Sequence, residues 1–109
     1  MQLDLIFNSL ADRTRRDILK RLVKQELSVS GVAEPYDMSL AAVSKHLKVL
    51  EKANLLGRRR DGKRYILRTD PKPLKKVDKW IDFYKRHWEE SFNKMDDYLA
   101  ELQKGDRKK

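Results

Sequence analysis

The chain contains two histidines, His46 and His87, and no cysteine. Without thiols there can be no disulfide, thiolate metal site or cysteine nucleophile. His87 stands three residues before Glu90 and five after Asp82, in DFYKRHWEE. A spacing of three on a helix sets His87 above Glu90, so the two could share a metal ion. A tight site usually takes three or four donors. A surface histidine beside a salt-bridging glutamate is the simpler reading, so neither metal nor cofactor is expected. His46 has no evident acid or nucleophile partner. Glu89-Glu90 and Asp96-Asp97 are adjacent pairs whose side chains diverge on a helix, as on a solvated face. There is no glycine-rich phosphate loop, and an enzyme is not expected.

The chemistry these residues do offer is cationic. Residues 39–50 read SLAAVSKHLKVL. As a helix they place Leu40, Val43, Leu47 and Leu50 on one apolar stripe. Ala41, Ser44, Lys45 and Lys48 fall opposite, with Lys52 one turn further on. The net charge is +9, and +7 of it lies on residues 39–68. Residues 1–27 carry +2, residues 28–38 carry −2 and residues 69–109 carry +2. A basic patch focused in this way points to a polyanion, above all nucleic acid. A lysine-rich solvated surface would instead mix its charges, as the last forty residues do.

The elements that must position this patch can be read from periodicity and punctuation. The 109 residues suggest one domain, residues 1–109, with a mean hydropathy of −0.82. The start, MQLDLIFNSLADRTRR, lacks the order of a signal peptide. No apolar run approaches the roughly 20 residues that span a bilayer. A soluble cytoplasmic protein without a membrane partner is expected. LDLIFNSL carries Leu3, Ile6, Phe7 and Leu10 at helical spacing. Asp12 caps a second helix over about 13–25, with Ile18, Leu19, Leu22 and Val23 inward. Ser28 caps a brief helix that stops near Pro35. PYDM turns, and Ser39 caps the helix quoted above, which ends at Ala53-Asn54. Asp61-Gly62 between two basic runs signals a hairpin with a two-residue turn.

A long helix over about 74–104 follows. Leu74, Ile81, Trp88, Met95 and Leu102 recur every seven residues, and Val77, Tyr84, Ser91 and Tyr98 form a second such series. Two interleaved heptad series are the seam of a helix that packs along another helix. Phe92 and Leu99 widen the stripe. A small domain offers little core to cover such a seam, so a partner chain is expected. Leu3, Ile6 and Phe7 of the first helix are expected to join Leu74, Val77, Ile81, Tyr84, Trp88, Met95 and Leu99 at that dimer interface.

The expected fold is mainly α with a small β-hairpin wing, a winged helix-turn-helix with a DNA-binding core over about 12–69. In this design the second helix of the motif enters the major groove. Ala41, Ala42 and Ser44 stay small near base edges. Lys45 and Lys48 reach phosphates or guanine. His46 reaches the DNA backbone or fills space beside the core. Arg58, Arg59, Arg60, Lys63 and Arg64 on the hairpin suit phosphates or a narrow minor groove.

DRTRRDILKRL, VAEPYDMSLAAVSKHLKVLEKANLL and GRRRDGKRYIL together resemble the ArsR/SmtB family of bacterial winged-helix repressors, over residues 3–69. The resemblance implies a homodimer, joined through its first and last helices, that binds a palindromic operator and represses its own operon. Position by position it implies that Ser39, Ala42, Ser44 and His46 face DNA. Many members sense metal through Cys-x-Cys at the short helix, where this chain has Ser28 and Ser30. Serine hydroxyls are poor ligands for soft metals, so an arsenic-type site is not implied. A second family site, on the last helix, would correspond to Asp82, His87 and Glu90. The stretch FYKRHWEESFNKMDDYL is more similar to a subgroup without known metal ligands, often encoded beside lipid-binding-fold proteins. That implies control by a small molecule or a protein of unknown identity. The alternatives are a non-specific architectural or RNA-binding protein, a protein-interaction module, and a metal-responsive repressor using the last helix. RNA readers usually expose stacking aromatics, whereas those here cluster in the C-terminal seam.

Overall fold

The computed structural model describes the chain from Gln2 to Arg107, with side chains as far as Lys104. The order is α1 (Gln2–Leu10), α2 (Arg13–Lys24), β1 (Leu27–Ser28), α3 (Val29–Ala33), α4 (Leu40–Lys52), β2 (Leu56–Asp61), β3 (Arg64–Thr69) and α5 (Leu74–Arg107). Two compact units divide it, the first ending at Val77 and the second beginning at Asp78.

The first unit is built on three capped helices and one sheet. Asp12 Oδ2 accepts from Arg15 N at 3.1 Å, Ser28 Oγ from Gly31 N at 3.1 Å, and Ser39 Oγ from Ala42 N at 3.1 Å. Each cap satisfies an amide that the first helical turn leaves free. Ile18 and Leu22 of α2, Val32 of α3, and Val43, Leu47 and Leu50 of α4 meet in one core with Leu55 and Leu67. α4 ends on Asn54 at φ 59°. Asn54 N donates to Glu51 O at 2.9 Å and Leu55 N to Leu50 O at 3.1 Å. These are the two crossed bonds of a Schellman stop, with Leu50 and Leu55 as its buried apolar pair. The chain therefore turns straight from α4 into β2.

The sheet is antiparallel, with strand order β1-β3-β2. The two-residue β1 leaves no mark in the sequence pattern, because two residues show no period. The hairpin turn also sits one residue later than expected. Asp61 pairs with Arg64, so Gly62 and Lys63 form the loop. Gly62 alone has positive φ there, at 63°, as the first loop position of a type II′ turn requires.

Three side chains depart from their expected faces. Val23, expected inward, is 75% exposed in the last turn of α2. Leu40, expected on the buried stripe of α4, is 59% exposed, because it opens the helix where neighbouring elements give it little cover. Ile6, expected at a partner seam, is fully buried in the chain's own core, where α1 packs on α2 and α4. Val77 also leans on this core.

The second unit is the continuation of α5. Trp80, Tyr84 and Trp88 form a ladder of rings, with centroids 4.7 Å and then 5.8 Å apart, and Phe83 meets Tyr84 edge-on at 5.2 Å. Ile81, Trp88, Met95 and Leu99 all remain exposed, so the heptad stripe is displayed along the helix. No helix among the described residues is long and apolar enough to cross a membrane.

Candidate nucleic-acid interface

α4 sorts its residues by face. Val43, Leu47 and Leu50 are fully buried, while Ala41, Lys45 and Lys48 are exposed or nearly so. Ala42 and Ser44 lie on its flanks. Lys45 and Lys48 make no ion pair among the described residues. Ser39 is exposed, and its Oγ is occupied as the helix cap, which leaves the hydroxyl hydrogen to donate.

His46 is fixed from behind. Arg15 Nη1 lies 3.3 Å from its Nδ1, and Asp12 Oδ2 lies 3.8 Å from the same atom. The rest of the Arg15 fork is used on the end of α1. Nε donates to Ser9 O at 2.7 Å and Nη2 to Asn8 O at 2.8 Å. The Arg15 backbone amide beside Asp12 holds that carboxyl below its ordinary range, with the Arg15 charge and the Thr14 amide adding to the effect.

The turn between α3 and α4 is held as well. Tyr36 donates to the Asp17 carboxylate, and the Arg21 guanidinium lies 5.3 Å from its ring centre. Burial, then the Asp17 bond, pushes the Tyr36 hydroxyl up from its ordinary value. Arg21 also donates to Val32 O and Gly31 O at 2.8 and 2.9 Å, pinning α3 onto α2.

On the hairpin, the cations divide between two roles. Arg58 is drawn back to Glu51 of α4 at 2.5 Å and lies 5.7 Å from the Tyr65 ring centre. Arg59 pairs with Glu26 at 2.9 Å, which raises its pKa above the ordinary value. These two arginines are engaged within the chain while remaining exposed. Arg60 donates to Gly62 O at 3.1 Å, and Arg64 lies 3.6 Å from Asp61 on the exposed tip beside Lys63. All five of these cations are exposed, and Arg58, Arg59 and Arg64 each pair with a carboxylate. The supporting roles of Arg15, Glu51 and Glu26 have no local signal in the sequence, since their partners are 31, 7 and 33 residues away.

Asp82, His87 and Glu90, the residues considered for metal, line one side of α5 together with Arg86. Asp82 pairs with Arg86 at 3.1 Å, and no three His, Cys, Asp or Glu are grouped so as to hold a metal ion among the described residues.

Comparison with known proteins agrees with this geometry. A helix-turn-helix domain model matches residues 10–59, from the end of α1 into β2. The regulator YuzN of Bacillus subtilis is 40% identical over 88 residues, covering 72% of this chain and 95% of that protein. The regulator Rv2034 of Mycobacterium tuberculosis is 42% identical over 71 residues, which is 65% of this chain and 66% of that protein, just under two-thirds of its length. Among solved structures, the ArsR family regulator RHA00566 is 34% identical, with a TM-score of 0.76 over 81% of this chain and 91% of that one. The homodimeric winged helix-turn-helix domain Mb0332 of Mycobacterium bovis is 26% identical, with a TM-score of 0.63 over 82% of this chain and 83% of that one. These relatives are regulators and not enzymes. With its capped α3 and α4, its wing and these relatives, the chain belongs to the ArsR family of winged helix-turn-helix transcriptional regulators.

Proposed function

We propose that the protein is a homodimeric transcriptional repressor of the cytoplasm that binds a palindromic DNA operator, its own promoter included. α4 enters the major groove. Ser39, Ala41, Ala42 and Ser44 lie against base edges, and Lys45, His46 and Lys48 against the strands. Arg60, Lys63 and Arg64 at the wing tip reach the flanking phosphates, while Arg58 and Arg59 hold the wing in place. The observation that carries this reading is the facing of α4. Its apolar stripe is buried beyond the first turn, and its small and unpaired cationic residues are presented away from the core.

The dimer is proposed to form through Leu3 and Phe7 of α1 and through Leu74, Ile81, Tyr84, Trp88, Met95 and Leu99 of α5. An exposed aromatic stripe of this length is the mark of an interaction surface. The homodimeric state of the Mb0332 domain supports a homodimer.

The test is selection of bound duplexes from random DNA at physiological salt, with and without zinc. An inverted repeat with half-sites about one helical turn apart is the expected product. Binding without enrichment would replace this reading with an architectural one. Enrichment that zinc abolishes would bring His87 back as a sensor ligand.

A further inference from the structure

We infer that Leu40 is a specificity-determining residue that reads the 5-methyl group of a thymine in the major groove; the inference rests on the operator-binding reading above. Leu40 is the first residue of α4, directly after the Ser39 cap. The first turn of a recognition helix is the part that reaches base edges. The other three residues of the α4 apolar stripe are fully buried, whereas Leu40 is 59% exposed. It is therefore an apolar side chain left outside the core at the reading end of the helix.

Its surroundings indicate the occupant. Leu40 lines a shallow crevice of about 300 Å³ with Val29, Ser30, Lys63, Arg64 and Tyr65, between the start of α4 and the wing. The cations of this crevice come from the wing tip, so its charge suits a nucleic-acid strand. Leucine has no hydrogen-bonding atom in its side chain. Of the groups that base pairs present in the major groove, the thymine methyl is the apolar one. Against cytosine or guanine, Leu40 would cover a polar edge without bonding it, which is unfavourable. The side chain therefore rewards thymine and penalises G·C pairs at one position of each half-site.

The experiment starts from the operator that the parent protein selects. Each thymine is replaced singly by deoxyuridine, which removes the methyl and leaves the hydrogen-bonding edge unchanged. Affinity is measured for the parent and for Leu40→Ala. We expect one symmetry-related thymine where uracil costs the parent about fourfold, the size of one methyl-sized contact, and costs Leu40→Ala nothing. Leu40→Gln is then expected to shift the selected base at that position from thymine to adenine, the base a glutamine amide reads. Uracil losses that are the same in parent and Leu40→Ala, or absent throughout, overturn the assignment while operator binding stands. An unchanged preference in Leu40→Gln does the same. If the parent enriches no sequence, the operator reading itself fails and the assignment with it.

Discussion

Arg15 Nη1 stands 3.3 Å from His46 Nδ1, joining the first turn of α2 to the middle of α4. A guanidinium can only donate, so Nδ1 must accept and the ring proton of neutral His46 sits on Nε2. The same guanidinium holds the Asn8 and Ser9 carbonyls at the end of α1. One side chain thereby ties the end of α1 to α4. Long-range proton–nitrogen NMR should show His46 as the Nε2–H tautomer in the parent and a mixture in Arg15→Ala.

Arg15→Ala also leaves two carbonyls and one imidazole nitrogen without their donor. A charge-assisted bond to a partly buried group is worth about 2 kcal/mol. Stability in urea should fall by at least that amount. Arg15→Lys should recover little of it, because an ammonium lacks the fork that reaches three acceptors.

Lys45 and Lys48 should behave as phosphate ligands. Removing one cation from a phosphate flattens the dependence of log affinity on log salt by about 0.9. The double alanine variant should therefore bind all sequences more weakly, with a slope shallower by about 2. Ser44→Ala should keep the parent slope and change the preferred sequence. Unaltered binding by the lysine variant would remove α4 from the groove.

Asp12 sets a pH dependence. Its folded pKa lies below the ordinary 3.8, first because the Arg15 amide hydrogen-bonds the carboxylate. The unfolded chain takes up the proton first, so the contribution is complete above about pH 3.8 and is lost as pH falls through the lower folded value. Asp12→Asn keeps a helix-capping oxygen and cannot titrate. Thermal scans of parent and variant should show the parent's advantage at about pH 5 shrinking by about pH 2.5.

Gly62→Ala should cost about 1 kcal/mol. An added methyl group at Gly62 would meet nothing within 4 Å, yet φ is 63°. The loss is then purely conformational, and equilibrium unfolding in urea would record it. Asn54→Gly, at φ 59°, should be neutral or mildly stabilising for the same reason.

The fold is legible where a local signal names its own structure. Asp12, Ser28 and Ser39 mark helix starts in the sequence, and each is a cap in the structure. Asp61-Gly62 announces the hairpin but not its phase, since positive φ is needed only at Gly62. Leu40 escapes its expected place because periodicity assigns a face to every residue of a helix, including a first residue that its neighbours cover only in part. The cations of the site are visible as composition, but their division is not. Arg58 and Arg59 look identical to Arg60 in sequence. Only the folded positions of Glu51 and Glu26 give the first two their partners.

The Schellman stop at Asn54 leaves no slack between the last turn of α4 and the first residue of β2, and the Glu51–Arg58 pair braces that corner. Helix and wing therefore form the fixed jaws of a caliper. In the proposed complex, the gap between the two grooves they enter is gauged by this corner and not by the reach of flexible cations. DNA whose grooves are spaced otherwise must itself bend or twist to fit. Operator shape would then be selected by a backbone turn that touches no base.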